Sequence, residues 1–386
     1  MRFRKIAYTL HLWLGMISGL IVFIVCLTGA IWALRINGWI GETSQDDPEC
    51  LPTEQNQSLL LPSQLITITS EKLENETPNN ISYTKKKPAR VTIYGKNYRY
   101  IKVNPYTGEM LGEPIGTPQK DNSFDLWRFV RTGHRCLWLP WEIGRPIVNY
   151  GTLIFVIVLI TGLVIWFPKS KKAAKNRLWF NWKKGTPAKR RIFDLHSVLG
   201  FYVCFILLAI AFTGMVWGIE WWSKNLYTVT TGGNTLPEWS TAKSDTISAD
   251  TSTTAVKAVD KIFLKILNEN TQAYSIGLSC PDPKDKASVI NATVYKQKDM
   301  YYNSDNYTFD RYSLQEIKID GPYSGKYDEA SFGDKLRKMN YEIHIGSIWG
   351  TPGRILVFFA ALFGASLPIT GLYIFFKTRK KKKKKI

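Results

Sequence analysis

Four histidines make up the whole imidazole content of this 386-residue chain, and their settings repeat. His11 opens an apolar run that reads H-x-x-L-G-x12-T-G, through Leu14-Gly15 to Thr28-Gly29. The same pattern recurs 185 residues later, from His196 through Leu199-Gly200 to Thr213-Gly214. The other two share a second pattern: His134 is followed by Arg145 and Thr161-Gly162, His344 by Arg354 and Thr370-Gly371. One such histidine would be expected to cap or anchor a helix. Four at duplicated positions argue for metal ligation, because neutral imidazole is the commonest metal-binding side chain and ionisable groups at membrane depth are costly. Zinc would need further Cys, Asp or Glu ligands, and the neighbouring positions are apolar. Haem iron needs only axial ligands, and its macrocycle suits an apolar pocket between helices. The pattern implies two bis-histidine haem sites.

The elements that must position these residues are four apolar runs, at 8–34, 146–167, 192–218 and 354–376, each long enough to cross a bilayer. The formal charge of +20 is concentrated beside them. Twenty-one of the 51 Lys and Arg fall in three segments: Arg2, Arg4 and Lys5; ten residues from Lys169 to Arg191; and eight from Lys377 to Lys385. A nucleic-acid binder would spread its basic residues over a folded face, so no nucleic-acid partner is expected. The positive-inside rule accounts for the clusters, and the poly-Lys tail at 377–386 would face anionic lipid headgroups. Both termini and the 169–191 loop are then cytoplasmic, and the loops 35–133 and 219–343 lie outside. The first run, within 1–34, exceeds a typical signal-peptide core, and its internal twin cannot be cleaved, so it is expected to be retained.

With that orientation His11 and His196 begin helices that start at the cytoplasmic face, and His134 and His344 precede helices that start outside, in segments 134–168 and 344–376. The implied pairs are His11 with His196 and His134 with His344. Small residues dominate the histidine faces: Gly15, Gly19, Val22, Cys26 and Gly29 follow His11, and Gly200, Cys204, Leu207, Ala211 and Gly214 follow His196. That leaves room for a flat cofactor or for a close neighbouring helix. At about 1.5 Å per residue, Gly29 lies roughly 27 Å along from His11, so the two pairs would sit near opposite surfaces. Arg145 and Arg354 occupy matching outer positions, either pairing with haem propionates or snorkelling to headgroups. Trp138, Trp141 and Trp349 form an interfacial belt or line a substrate site.

The first outer loop predicts a helix near Ser63–Leu73. Strands follow at Arg90–Tyr94 and Tyr98–Val103 around a Gly95-Lys96-Asn97 turn, and Asn104–Glu109 forms a second turn. The second loop repeats the plan. Ala255, Val259, Ile262, Phe263 and Ile266 have helical spacing, and strands follow at Val289–Tyr295 and Tyr307–Phe309. Cys50, Cys136 and Cys280 are outside and odd in number, with Cys50–Cys280 one conceivable bridge. No CxxCH occurs, so covalent c-type haem is not supported.

The stretch R-K-x-x-Y-x-L-H-L-W-L-G (Arg4 to Gly15), the Thr-Gly exits, and V-N-P-Y-T-G-E-M-L-G (Val103 to Gly112) resemble the PepSY-associated transmembrane family over nearly the whole chain. Where the first loop has the Pro-Tyr-Thr-Gly turn, the second has Asp310-Arg311-Tyr312-Ser313. The resemblance implies a membrane α fold: four transmembrane helices from an internal 2+2 duplication, with two small α+β PepSY-like periplasmic domains, in a bacterial inner membrane. Some members are di-haem ferric-siderophore reductases. Carried over, this implies two haem b groups ligated by His11, His134, His196 and His344, and a ferric siderophore or other ferric chelate as substrate. Some relatives add a C-terminal flavin and nicotinamide domain, which this chain lacks, so the expected electron donor is a quinol or a cytoplasmic reductase. The alternative is a haem-free membrane sensor or peptidase regulator acting through the outer domains. A transporter would show broken helices in both halves, whereas Pro368 interrupts only the fourth.

Overall fold

In the computed structural model, residues 2–40, 47–54, 57–74, 76–95, 98–116, 124–168, 170–238, 242–247 and 255–383 are described. Among the described residues, four helices are long and apolar enough to cross a membrane: Arg2–Ile36, Trp141–Trp166, Ala188–Val216 and Ser347–Lys377. The shortest, at 26 residues, extends about 39 Å, more than the roughly 30 Å hydrocarbon core. The first, third and fourth run past one or both ends of their apolar segments through Arg and Lys, which are good helix formers. The third contains a π-helical turn, Leu195–Leu199, that carries His196.

The chain divides into two units, Met1–Thr43 with Asp125–Leu226 and Asn340–Ile386, and Ser44–Phe124 with Tyr227–Met339. In the first, the first spanning helix contacts the second and fourth, and the third contacts the second and fourth. The buried face of the first helix is built from small residues (Ala7, Ser18, Gly19, Thr28, Ala30, Ala33), which lets helices approach closely where lipid supplies no hydrophobic drive between them. Ile17, Leu20, Ile160 and Phe205 stay exposed, as lipid-facing side chains do. Midway along, Val22, Phe155, Val158, Leu159, Val203, Leu207 and Ala360 form a wholly apolar layer with Cys204. His134 and His344 precede the spanning helices, and their lead-ins are themselves helical. They ride on separate short helices, Leu126–Cys136 and Asn340–Ile345, because Leu137 and Trp138 turn left-handed after the first and Gly346 turns left-handed after the second.

The second unit is one antiparallel sheet of β1 (Asn80–Thr84), β2 (Ala89–Ile93), β3 (Arg99–Val103), β4 (Ile115–Gly116), β5 (Ser275–Ser279), β6 (Ile290–Tyr295) and β7 (Ser304–Phe309). The order is β4-β3-β2-β1-β5-β6-β7. Two separate domains were expected; instead β1 pairs with β5 over five residues, Asn80 opposite Ser279 and Thr84 opposite Ser275, so the two loops share one sheet. They share one core as well. The helices Pro62–Thr69 and Ala255–Glu269 pack on it through Leu65, Ile262, Phe263 and Ile266, with Tyr83 stacked on Phe263 at 4.3 Å. Asp260 of one helix accepts from Ser63 N of the other at 2.8 Å, filling a helix-start donor.

The turn after β3 and the turn after β7 are the same device despite their different sequences. Asn104 N donates to Glu109 O and Asp310 N to Gln315 O, while Gly108 N and Leu314 N donate back to Asn104 O and Asp310 O. Asn104 Oδ1 accepts from Tyr106 N, and Asp310 Oδ1 from Tyr312 N and Ser313 N. Gly108 and Leu314 both take positive φ, 78° and 59°. The Gly95-Lys96-Asn97 turn lies partly outside the described residues. All five cysteines are free, so Cys50 and Cys280 form no bridge.

Candidate functional site

Each histidine rests on the Thr-Gly of another helix. His11 Nδ1 donates to Val158 O of the second spanning helix at 2.9 Å. Beneath it is Gly162, where a Cβ would come within 3.1 Å of His11 Cε1. The second helix's partner returns the contact: His134 Nδ1 donates to Val25 O of the first helix at 2.9 Å, over Gly29. The other half does the same. His344 Nδ1 lies 3.0 Å from Ile210 O and from Thr213 Oγ1, over Gly214. His196 Nδ1 lies 2.9 Å from Thr370 Oγ1, over Gly371. The threonines Thr28, Thr161, Thr213 and Thr370 each donate back to carbonyls three and four residues earlier.

These bonds fix the tautomer. A carbonyl oxygen only accepts, so Nδ1 carries the proton in His11, His134 and His344. At His196 the Thr370 proton is already directed at Ser366 O and Leu367 O, so Thr370 Oγ1 accepts and the tautomer is again Nδ1–H. Every Nε2 is left as a bare lone pair, and among the described residues none makes a hydrogen bond. An Nδ1–H held by a backbone carbonyl is how metal-binding histidines are usually oriented. Burial holds His134 and His344 below the ordinary imidazole range, which keeps them neutral.

The structure brings the four together as two pairs. The His11 and His196 ring centroids are 6.3 Å apart, and those of His134 and His344 are 6.4 Å apart. Two imidazole–metal bonds of about 2.0–2.1 Å in line, with roughly 1.1 Å from each nitrogen to its ring centre, would separate the centroids by about 6.3 Å. Among the described residues no three His, Cys, Asp or Glu converge on a metal-sized site, so each pair offers two imidazole nitrogens and no further protein ligand. The residues therefore fit bis-histidine haem at both positions.

Around the pairs, polar groups cluster at the helix ends. Arg4 donates to Ile165 O and Phe167 O, and Arg177 to Ile165 O and Trp166 O, capping the negative end of the second spanning helix. The Trp166 indole N–H, one turn beyond Gly162, is buried without an acceptor and its ring stacks on Phe201 at 3.7 Å. Near His344, Arg145 donates to Trp217 O at 2.8 Å and lies over Trp141. The ring of Trp217 is edge-on to His344 at 5.1 Å. Arg145 is thus engaged by protein groups, whereas Arg354 Nε is buried without a partner. Trp138 donates to Phe129 O and stacks on its ring; Trp349 is exposed. Sequence reasoning found the histidines and their pairing but gave the Thr-Gly motifs no role. The recurrence of one Thr-Gly per histidine was the available signal. It also missed the helix Leu126–Cys136, which Trp127, Arg131 and His134 mark by recurring on one face.

A family model described as PepSY-associated TM region matches residues 8–378. No curated protein matches the chain.

Proposed function

The chain belongs to the PepSY-associated TM family, and we propose that it is a di-haem b oxidoreductase of a bacterial inner membrane. In this reading the basic helix ends face the cytoplasm and the sheet unit faces the periplasm, the chain being two copies of a two-helix half. Bound haem supplies reversible one-electron transfer at each pair. The protein's own residues do the rest. His11 and His196 hold one group and His134 and His344 the other. The carbonyls of Val25, Val158 and Ile210 and the hydroxyl of Thr370 lock each ring with Nε2 free, and the glycines give the rings room. The apolar layer of Val22, Phe155, Val203 and Leu207 excludes water and ions between the pairs, so charge crosses only as electrons.

The observation that carries this reading is the fourfold Nδ1 anchoring of two ring pairs whose Nε2 atoms make no hydrogen bond. The acceptor is a ferric chelate, a ferric siderophore in the family's manner. It takes one electron per iron and releases ferrous ion, which hard oxygen ligands hold more weakly. The donor is a quinol or a cytoplasmic reductase.

Purified protein expressed with ample haem precursor should show a dithionite-induced Soret shift and two haems per chain. His11→Ala and His196→Ala should each remove one haem, and His134→Ala and His344→Ala the other. Colourless protein would sink the reading and leave the sheet unit as a sensor or peptidase regulator. Loss of the same haem from His11→Ala and His134→Ala would refute the pairing.

A further inference from the structure

We infer that Arg35, Asn37 and Arg354 form a cradle for the propionate carboxylates of the haem held by His134 and His344. This rests on the haem reading above. The first observation is a set of buried atoms that pair with nothing: Arg35 Nη1, both side-chain polar atoms of Asn37, and Arg354 Nε. Asn37 is only 9% exposed. Among the described residues neither arginine has a carboxylate partner. Buried polar groups are nearly always satisfied, and exceptions call for an explanation such as strain, a functional role, or a water or ion.

The second observation is where these atoms lie. Arg35 sits over the Trp127 ring at 5.8 Å. Trp127 is on the short helix that carries His134 two turns later, and Arg131, between them, lies over Trp32. On the other side, the segment after His344 is pressed against the start of the fourth spanning helix. A Cβ on Gly353 would fall 2.2 Å from Gly346 O, and Arg354 is the next residue. Trp39 packs edge-on to Phe358 at 5.7 Å, joining the end of the first helix to the early turns of the fourth. Both short helices that carry the His134/His344 pair therefore abut an element whose arginine has a buried nitrogen with no hydrogen bond.

The third observation is a contrast. Arg145 and Arg354 occupy matching positions, each next to a glycine packed on the histidine segment: Gly144 on Cys136 O, Gly353 on Gly346 O. Arg145 is satisfied by Trp217 O; Arg354 Nε is not. A carboxylate is an acceptor-only group that guanidinium matches in charge and fork geometry, and the Asn37 amide adds a neutral donor.

The test is potentiometric titration of the full chain in lipid nanodiscs, comparing wild type with Arg35→Gln, Arg354→Gln, Asn37→Leu and Arg35→Lys. Removing a cation beside the propionates favours the ferric form. Arg35→Gln and Arg354→Gln should each shift the oxidised-to-reduced balance of the His134/His344 haem by about tenfold, a fall of about 59 mV for one electron. Asn37→Leu should shift it less and Arg35→Lys least. The His11/His196 haem should keep its potential, and its spectrum reports that each variant is folded. Two bound haems with unmoved potentials in both Gln variants would overturn the cradle and leave the haem reading standing. A shift seen only in nanodiscs of anionic lipid would also overturn it, assigning the cradle to headgroups. Wild-type protein without haem would overturn the underlying reading instead.

Discussion

Substituting alanine for the four Thr-Gly glycines in turn should grade haem retention by ring clearance. A Cβ at Gly29 would lie 3.0 Å from His134 Cε1 and 3.2 Å from its Nδ1; at Gly162 the distances to His11 are 3.1 and 3.3 Å. At Gly214 they are 3.3 and 3.8 Å from His344, and at Gly371 3.4 and 3.9 Å from His196, ordinary contact. Gly29→Ala must push His134 back by some tenths of an ångström, lengthening its bond to Val25 O beyond 2.9 Å. Overpacking of this kind costs about 1–3 kcal/mol, or roughly 5- to 150-fold in affinity, which brackets the 10–100-fold typical of losing a ligand's orienting partner. Gly371→Ala should change retention by less than about threefold. The assay is the rate of haem transfer to an excess of a haem-scavenging apoprotein, with the two haems assigned through His11→Ala and His134→Ala. Alanine is the better helix former by up to about 1 kcal/mol, which offsets only part of the overpacking cost, so the thermal melt of Gly29→Ala should not rise while haem escapes faster. Equal loss from Gly29→Ala and Gly371→Ala, or loss of the His11/His196 haem from Gly29→Ala, would refute the docking argument.

Phe263→Ala removes a fully buried ring stacked on Tyr83 and should cost about 3–5 kcal/mol; because the core is shared, hydrogen exchange in the full chain should quicken in β1–β3 as well as β5–β7, and an effect confined to 255–309 would contradict a single core. Burial alone would raise the Asp310 carboxyl, but N–H groups of Ser313, Asp245 and Tyr312 hold it below its ordinary 3.8. Its contribution is therefore complete above about pH 4 and is lost as pH falls through the lower folded value. Thermal melts of Asp310→Asn should be lower than wild type at pH 7 and converge with it in acid; parallel curves would count against the assignment. For orientation, an alkaline phosphatase fused after Ile386 should be inactive and one fused after Gly232 active, the reverse pattern inverting the proposed topology.

The histidines, the spanning runs and the pairing were legible because they rest on local signals: apolar length, basic flanks and an exact repeat. What the sequence left hidden depends on contacts between distant segments. Nothing near Thr28-Gly29 says that it will meet His134, since the docking joins two helices. The pairing of Ile81 with Leu278 is equally silent, because alternation sets which face a strand buries and not which strand lies beside it. Asp310-Arg311-Tyr312-Ser313 looked unlike Asn104-Pro105-Tyr106-Thr107, yet Asx chemistry at the first position builds the same turn from both. Arg145 and Arg354 looked equivalent in sequence, and only their surroundings separate an engaged arginine from an orphaned one.

The β1–β5 seam sets a schedule for biogenesis. About 190 residues separate the two strands, so at roughly 5–20 residues per second the first half-sheet emerges some 10–40 s before its partner. Throughout that interval Asn80–Thr84 presents an open edge, the kind of template on which strands of other chains add. Two nascent copies side by side can exchange β5, giving a strand-swapped dimer with every native hydrogen bond intact. High contact order thus becomes a liability during synthesis, and slow elongation or crowding of nascent chains should raise the swapped fraction.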